Sequence, residues 1–274
     1  MRWLFPAVLW SATVLALAFL VVPIASIFLR VPPGDLIAAL GSEVARDALR
    51  VTLETTLVAQ VVILIVGTPA AYLIASRRFM GRAVLVTLVE LPLVLPPAVA
   101  GIGLLAAFGR LGLLGGTLAA FGIEVAFTKL AVILAVAFVA GPFYLRIAIA
   151  AFEAVDQTLA DASRTLGVGP ARTFARVALP LAGAGLGAGA ALSFARGLGE
   201  FGATIMFAGS LQGVTQTLSL AVYEQFDVDF DTALAIGAAL VVVSAIVLLS
   251  AKLVPSWRRS PSISPIPSAG SASS

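Results

Sequence analysis

Six apolar runs, each close to the roughly 20 residues a helix needs to cross a bilayer core, punctuate this chain. They lie at about Pro6 to Leu29, Thr52 to Ser76, Ala83 to Phe108, Lys129 to Ala151, Leu179 to Phe207 and Ala233 to Val254. A soluble domain carries about a quarter charged residues. Here 60% of residues are hydrophobic and 11% charged, too few charges to cover a globule in water. The solvent is therefore lipid, where each spanning segment must satisfy its own backbone polar groups, and runs of this length do so as helices. The expected fold is an all-α membrane protein of about six transmembrane helices.

The first run is longer than the apolar core of a signal peptide and only Arg2 precedes it, so it is expected as an uncleaved helix. Orientation follows from the basic residues, which stay on the cytoplasmic side. With the N-terminus inside, that side holds Arg2, Arg77, Arg78, Arg82, Arg146, Arg164, Arg172, Arg176, Lys252, Arg258 and Arg259, against Arg30, Arg46, Arg50, Arg110 and Lys129 outside. Both termini are expected to be cytoplasmic. Residues 1–256 form the transmembrane unit, and the Ser/Pro/Ala-rich tail 257–274 is expected to be disordered.

The absences narrow the function. With no Cys and no His, thiol chemistry, His-based acid–base chemistry and Cys/His metal sites are excluded, and neither catalytic nor metal-binding residues are expected. No Lys/Arg run exceeds a pair, which argues against nucleic acid as a partner. The lysines are Lys129 and Lys252, and no G-x-x-x-x-G-K-[ST] loop is present, so the chain is not expected to bind ATP or other cofactors itself.

The longest polar interruption on the cytoplasmic side is Glu153 to Arg176, EAVDQTLADASRTLGVGPARTFAR. Ala154, Leu159, Ala162 and Leu166 fall on one helical face with Asp156, Asp161 and Arg164 toward another, which predicts a short amphipathic helix. Gly167 and Gly169 stop it, Pro170 starts a second helix, and Pro180 opens the next span. Such a helix-turn-helix suits docking of a cytoplasmic protein. A helix resting on lipid headgroups is the alternative from pattern alone.

These residues resemble the EAA signature of ABC importer permeases, with Glu153 and Ala154 at its head, Gly167 as its glycine and Leu179-Pro180 at its close. Val155 stands where the family pattern has a second Ala. The resemblance implies a type I importer permease architecture with a coupling loop at about 152–178. Its contact positions toward an ATPase subunit would be Glu153, Ala154, Ala162, Arg164 and Gly167. It also implies a second copy of this chain, two cytoplasmic ABC ATPase subunits that bind ATP and magnesium, a periplasmic or lipid-anchored oxyanion-binding protein, and the bacterial inner membrane with its lipid.

A second resemblance covers about Thr52 to Leu253. SFARGLGEFGATIMFAG from Ser193, GVTQTLSLAVY from Gly213, ELPLVLPPAVAG from Glu90 and FGRLGLLG from Phe108 are similar to molybdate permeases of the oxyanion importer group. Sulfate and thiosulfate permeases share the GEFG-like core, so a sulfate importer is the alternative. An ion-gradient transporter is a further rival, for which Glu90 and Glu200 are the membrane carboxylates.

Arg196 and Glu200, four residues apart within an apolar run, each cost roughly 2.5–3.5 kcal/mol at mid-bilayer unless compensated. Their spacing pairs them on one face, and counting from Pro180 puts them in the outer leaflet. The pathway reading has Arg196 giving the route an anion-tolerant potential while Glu200 holds its geometry, with Gly199, Gly202 and Thr204 lining the passage; the alternative is a structural ion pair. Gly197, Gly199 and Gly202 spell GxGxxG, but a transmembrane helix is the wrong setting for a dinucleotide site. Gly183, Gly185, Gly187 and Gly189 make small-residue faces for close helix packing. Pro92, Pro96 and Pro97 are expected to kink the third span, and Glu90 is placed near the cytoplasmic interface.

Overall fold

The computed structural model describes residues 4–77 and 79–256, with the side chains of residues 4, 157, 160, 164 and 251–256 outside that description. The predicted tail at 257–274 lies outside the described residues. Every regular element among those described is helical. In chain order they are α1 (Leu4–Arg30), α2 (Pro33–Leu40), α3 (Glu43–Ser76), α4 (Arg82–Val94), α5 (Pro97–Phe108), α6 (Gly115–Ala120) and α7 (Lys129–Glu153). There follow α8 (Gln157–Thr165), α9 (Pro170–Thr173), a π-turn (Phe174–Ala178), α10 (Leu179–Leu198), α11 (Gly202–Ala208), α12 (Leu218–Gln225) and α13 (Phe230–Ser256). Five helices are long and apolar enough to span a membrane, and the bent pair α4 and α5 supplies a sixth candidate.

The centre is α7, packed along both α3 and α10. Lipid tails are as apolar as leucine, so helices in a bilayer associate through close packing and hydrogen bonds. α7 accordingly buries small residues, among them Ala131, Ala135, Ala140 and Ala148. α10 meets it with glycines: a Cβ at Gly185 would lie 2.5 Å from Ala151 Cβ, and one at Gly189 would lie 3.2 Å from Ile147 Cβ. Gly183 and Gly187, on the other face, meet nothing within 4 Å. The glycine stripe thus serves two faces, only one of which is used inside the subunit.

Polar ties reinforce the same three helices. Tyr144 and Thr68 share a 2.6 Å hydroxyl–hydroxyl bond, and Ser193 Oγ donates to Gln60 Oε1 at 2.9 Å. At one end of the bundle Glu54 on α3 accepts from Lys129 at the head of α7 and from Arg50, both at 2.7 Å. At the other end Arg82 pairs with Glu153. By contrast α1 is exposed along its apolar length and touches the rest of the chain chiefly at α13.

Three sequence expectations need correction. The second span begins at Glu43 instead of Thr52, because Ser42 accepts the Ala45 N–H and starts the helix one polar stretch earlier. The third span is broken, with a 113° bend where Leu95 and Pro96 are extended. Pro96 disfavours helix at Leu95, Pro97 does the same at Pro96, and neither proline donates a backbone N–H. The fifth span starts at Pro170, not Leu179, and stops at Leu198 instead of running to Phe207. Pro180 cannot donate to the Arg176 carbonyl and its ring crowds that carbonyl; the π-turn just before it opens the helix enough to continue through.

Candidate functional site

Glu153, the last residue of α7, and Ala154, its C-cap, are both exposed. Asp156 begins α8 by accepting the Thr158 N–H at 2.9 Å. That bond to the charged form holds the Asp156 carboxyl below its ordinary range. α8 ends in a Schellman arrangement: Val168 N–H reaches the Ser163 carbonyl at 3.1 Å, and Gly167 takes φ +75°. Gly169 caps α9, which starts on Pro170 as the spacing predicts.

α8 packs mainly on α9 and the π-turn, with the Ser163 and Thr173 hydroxyls 3.0 Å apart. Its apolar positions Leu159 and Ala162, and Leu166 beyond its end, are exposed. Ala154 does not share that face, because α8 starts three residues later. The Arg164 backbone lies within α8, and its side chain is outside the described residues.

The base of the loop is clamped by aromatic rings. Tyr72 of α3 lies 5.3 Å edge-on from Phe152 of α7 and 4.7 Å from Phe174 of the π-turn. These three rings are far apart in sequence, so periodicity gave no sign of them. Arg82 was read only as a cytoplasmic charge. It pairs with Glu153 and donates from Nε to the Ile74 carbonyl at 2.9 Å. Beside it Glu90 and Arg146 face each other at 3.6 Å, and the four charged residues line a groove of about 260 Å³ between α4 and α7.

At the far end of α10, Arg196 Nη2 stands 2.8 Å from Glu200 Oε2, close enough for an ion pair but outside hydrogen-bond geometry. Arg196 lies in the last turn of α10, and Glu200 sits two residues past its end. Glu200 Oε1 also accepts the Ala203 N–H at 2.8 Å, holding the start of α11. Each charge therefore sits at a helix end whose dipole favours it: the cation at a C-terminus, the anion at an N-terminus.

Of the expected pathway residues, Arg196 is partly accessible at 28% of its side chain and Gly199 is exposed, whereas Glu200 is buried. Thr204 is fully buried, and Gly202 packs so tightly that a Cβ there would lie 2.8 Å from Pro97 Cβ. In this subunit Gly202 and Thr204 take part in the packing of α11, which rests on α5 and α7. The Thr215–Thr217 stretch is likewise buried, where Gln216 donates to Glu224 and the Leu218 N–H reaches Thr52 Oγ1 at 2.8 Å. The GxGxxG glycines lie at this helical corner with no strand among the described residues.

Residues 63–259 match the family model described as "Binding-protein-dependent transport system inner membrane component". The chain is 41% identical over 238 residues to the "Molybdenum transport system permease protein ModB" of Mycobacterium tuberculosis (strain ATCC 25618 / H37Rv), covering 86% of this chain and 89% of that one. It is 37% identical over 195 residues to the "Sulfate transport system permease protein CysT" of Escherichia coli (strain K12), covering 71% and 70%. Its fold resembles a chain of a solved bacterial ABC transporter involved in the import of the acidic polysaccharide alginate, with a TM-score of 0.72, 17% identity and coverage of 94% and 96%.

Proposed function

This chain belongs to the family of binding-protein-dependent transport system inner membrane components, and from that premise we propose that it is the permease subunit of an ATP-driven importer of molybdate or tungstate in the bacterial inner membrane. Two copies form the pathway. Two cytoplasmic ATPase subunits supply the energy, since this sequence has no P-loop of its own, and a periplasmic or lipid-anchored binding protein delivers the oxyanion. The observation that carries the coupling half of this reading is α8. It holds its apolar residues outward while the Tyr72, Phe152 and Phe174 rings root its loop in the bundle, as a lever needs.

In the mechanism, closure of the ATPase pair pushes on α8 and the two loop ends carry the displacement into α7 and α10. The anion route then opens alternately to the two sides. Glu153, Ala154, Ala162, Arg164 and Gly167 form the contact set toward the ATPase. Arg196 and Gly199 are the members of the outer cluster that face the route, and Glu200 holds the Arg196 guanidinium in place.

The substrate rests on likeness to permeases named for molybdenum, at 41% identity over 86% of the chain, against 37% over 71% for one named for sulfate. A sulfate importer is the second reading, favoured by that latter similarity. Cellular molybdenum, measured by elemental mass spectrometry at nanomolar molybdate with and without the gene, separates the two. Uptake that ignores a large sulfate excess supports molybdate. A sulfate growth defect without a molybdenum difference moves the assignment to sulfate and leaves the coupling reading intact.

A further inference from the structure

The lever needs a joint, and the joint must sit where the loop enters the bundle. α8 rests mainly on its own return segment, so displacement enters the membrane domain chiefly at its two ends. The return end continues into α10. The leading end is the short connection after Glu153, and the side chain gripping it is Arg82.

We propose that Arg82 is a positioning residue that ties the head of the coupling loop to the broken helix α4–α5 and so transmits loop motion to the outer half of the pathway; this rests on the importer reading above. Arg82 is the first residue of α4. Its guanidinium holds two elements at once, pairing with Glu153 at the end of α7 and donating from Nε to the Ile74 carbonyl in the last turn of α3. Glu90 and Arg146, two turns further along α4, provide a second and looser rung between the same helices. A displacement of Glu153 therefore moves α4 at its base.

From α4 the connection runs through the 113° break into α5. α5 is in hard contact with α11: a Cβ at Gly101 would lie 2.6 Å from the Ala203 carbonyl oxygen, and one at Gly202 would lie 2.8 Å from Pro97 Cβ. Ala203 is the residue whose N–H Glu200 holds, and Glu200 carries Arg196. The loop head and the outer ion pair are thus joined by a continuous chain of contacts that passes through the Pro96-Pro97 break. Lysine in place of Arg82 keeps the charge facing Glu153 but has no planar fork to bridge two acceptors as fixedly.

The test is the number of molybdate ions imported per ATP hydrolysed by the complex of this chain with its ATPase subunits and binding protein in liposomes. R82Q is expected to keep hydrolysing ATP while import per ATP falls about tenfold, with R82K staying within about threefold of wild type. A wild-type ratio in R82Q overturns the proposal, and so does an equal loss in R82Q and R82K, because the charge would then not be what matters. If R82Q fails to assemble while R82K assembles and couples, the tie through Glu153 is supported. If both fail to assemble, Arg82 is a folding residue and the proposal falls. A wild-type complex that hydrolyses ATP without moving any oxyanion sinks the importer reading instead, whatever Arg82 does.

Discussion

Arg196 and Glu200 meet across a helix end: the guanidinium comes from the last turn of α10, and the carboxylate, 2.8 Å away, holds the first turn of α11. The carboxylate is buried and the guanidinium only partly so. Removing the cation leaves a buried charge without its counter-ion, which costs about 3 kcal/mol where the environment cannot adjust. R196A is therefore expected to lower the detergent melting temperature more than the double variant R196A/E200Q, in which no buried charge remains. Equal melting temperatures would show that the pair carries no stabilising role.

The exposed apolar positions of α8 predict a loss of association without a loss of fold. L159D and A162D each place a carboxylate where a partner surface would close and touch no buried group of the subunit. Their melting temperatures are expected within a degree or two of wild type, with co-purification of the ATPase subunit reduced at least tenfold. Unchanged co-purification would remove α8 from the interface.

Gly167 makes a separate prediction about the same element. Its φ of +75° costs an alanine roughly 1–2 kcal/mol, although the space beside it is open. G167A is expected to fray the end of α8, seen as faster amide exchange over residues 163–168, and to lower import per ATP while the folded subunit persists.

The Asp156 cap gives a pH dependence. Because the folded carboxyl titrates below its ordinary range, the stability it lends α8 is present above that range and is lost as pH falls through the folded value. Amide protection over residues 157–165, corrected for intrinsic exchange, is expected to drop on acidification below about pH 4. D156N keeps a capping oxygen without titrating, so its protection should stay flat over the same interval.

The two faces of the α10 glycines give contrasting expectations, one for packing within the subunit and one for the proposed dimer. G185V forces α10 away from Ala151 and is expected to lower the melting temperature by several degrees. G187V meets open space in one subunit and is expected to spare that temperature while reducing the dimer fraction by light scattering. Equal effects on the fold from both would place Gly187 inside the subunit core.

Hydropathy located the five long apolar helices and the bent pair α4–α5 because lipid leaves a strong compositional trace. It is blind to chain direction, so it read α4 and α5 as one kinked helix although Pro96 and Pro97 mark the break. It also ran α10 through Gly199 into α11, since Gly, Glu and Phe at 199–201 do not interrupt an apolar average. The stop and restart in the loop between Glu153 and Arg176 were legible because they follow local rules that Gly167 and Pro170 obey, whereas the Asp156 cap that delays the start of α8 past Ala154 was not. What holds that loop was not legible. Tyr72, Phe152 and Phe174 meet only through tertiary packing, and Arg82 reads as one more basic residue near a membrane surface until Glu153 is found opposite it. Thr204, four residues beyond Glu200, is buried within the seven-residue α11, a placement hydropathy does not show.

The π-turn at Phe174–Ala178 adds about one residue to the helical count, and one residue is about 100° of rotation. Everything beyond Ala178 is therefore set to an azimuth that an uninterrupted α-helix from Pro170 would miss by more than a quarter of a circle. With that offset, Gly185 and Gly189 point at α7. The wide turn works as a phase setting between the two ends of the longest rigid rod in the loop's return path. Any twist that tightens it to ordinary α-geometry would turn the Arg196 end relative to the loop end, so the rod has the geometry to convey rotation as well as thrust.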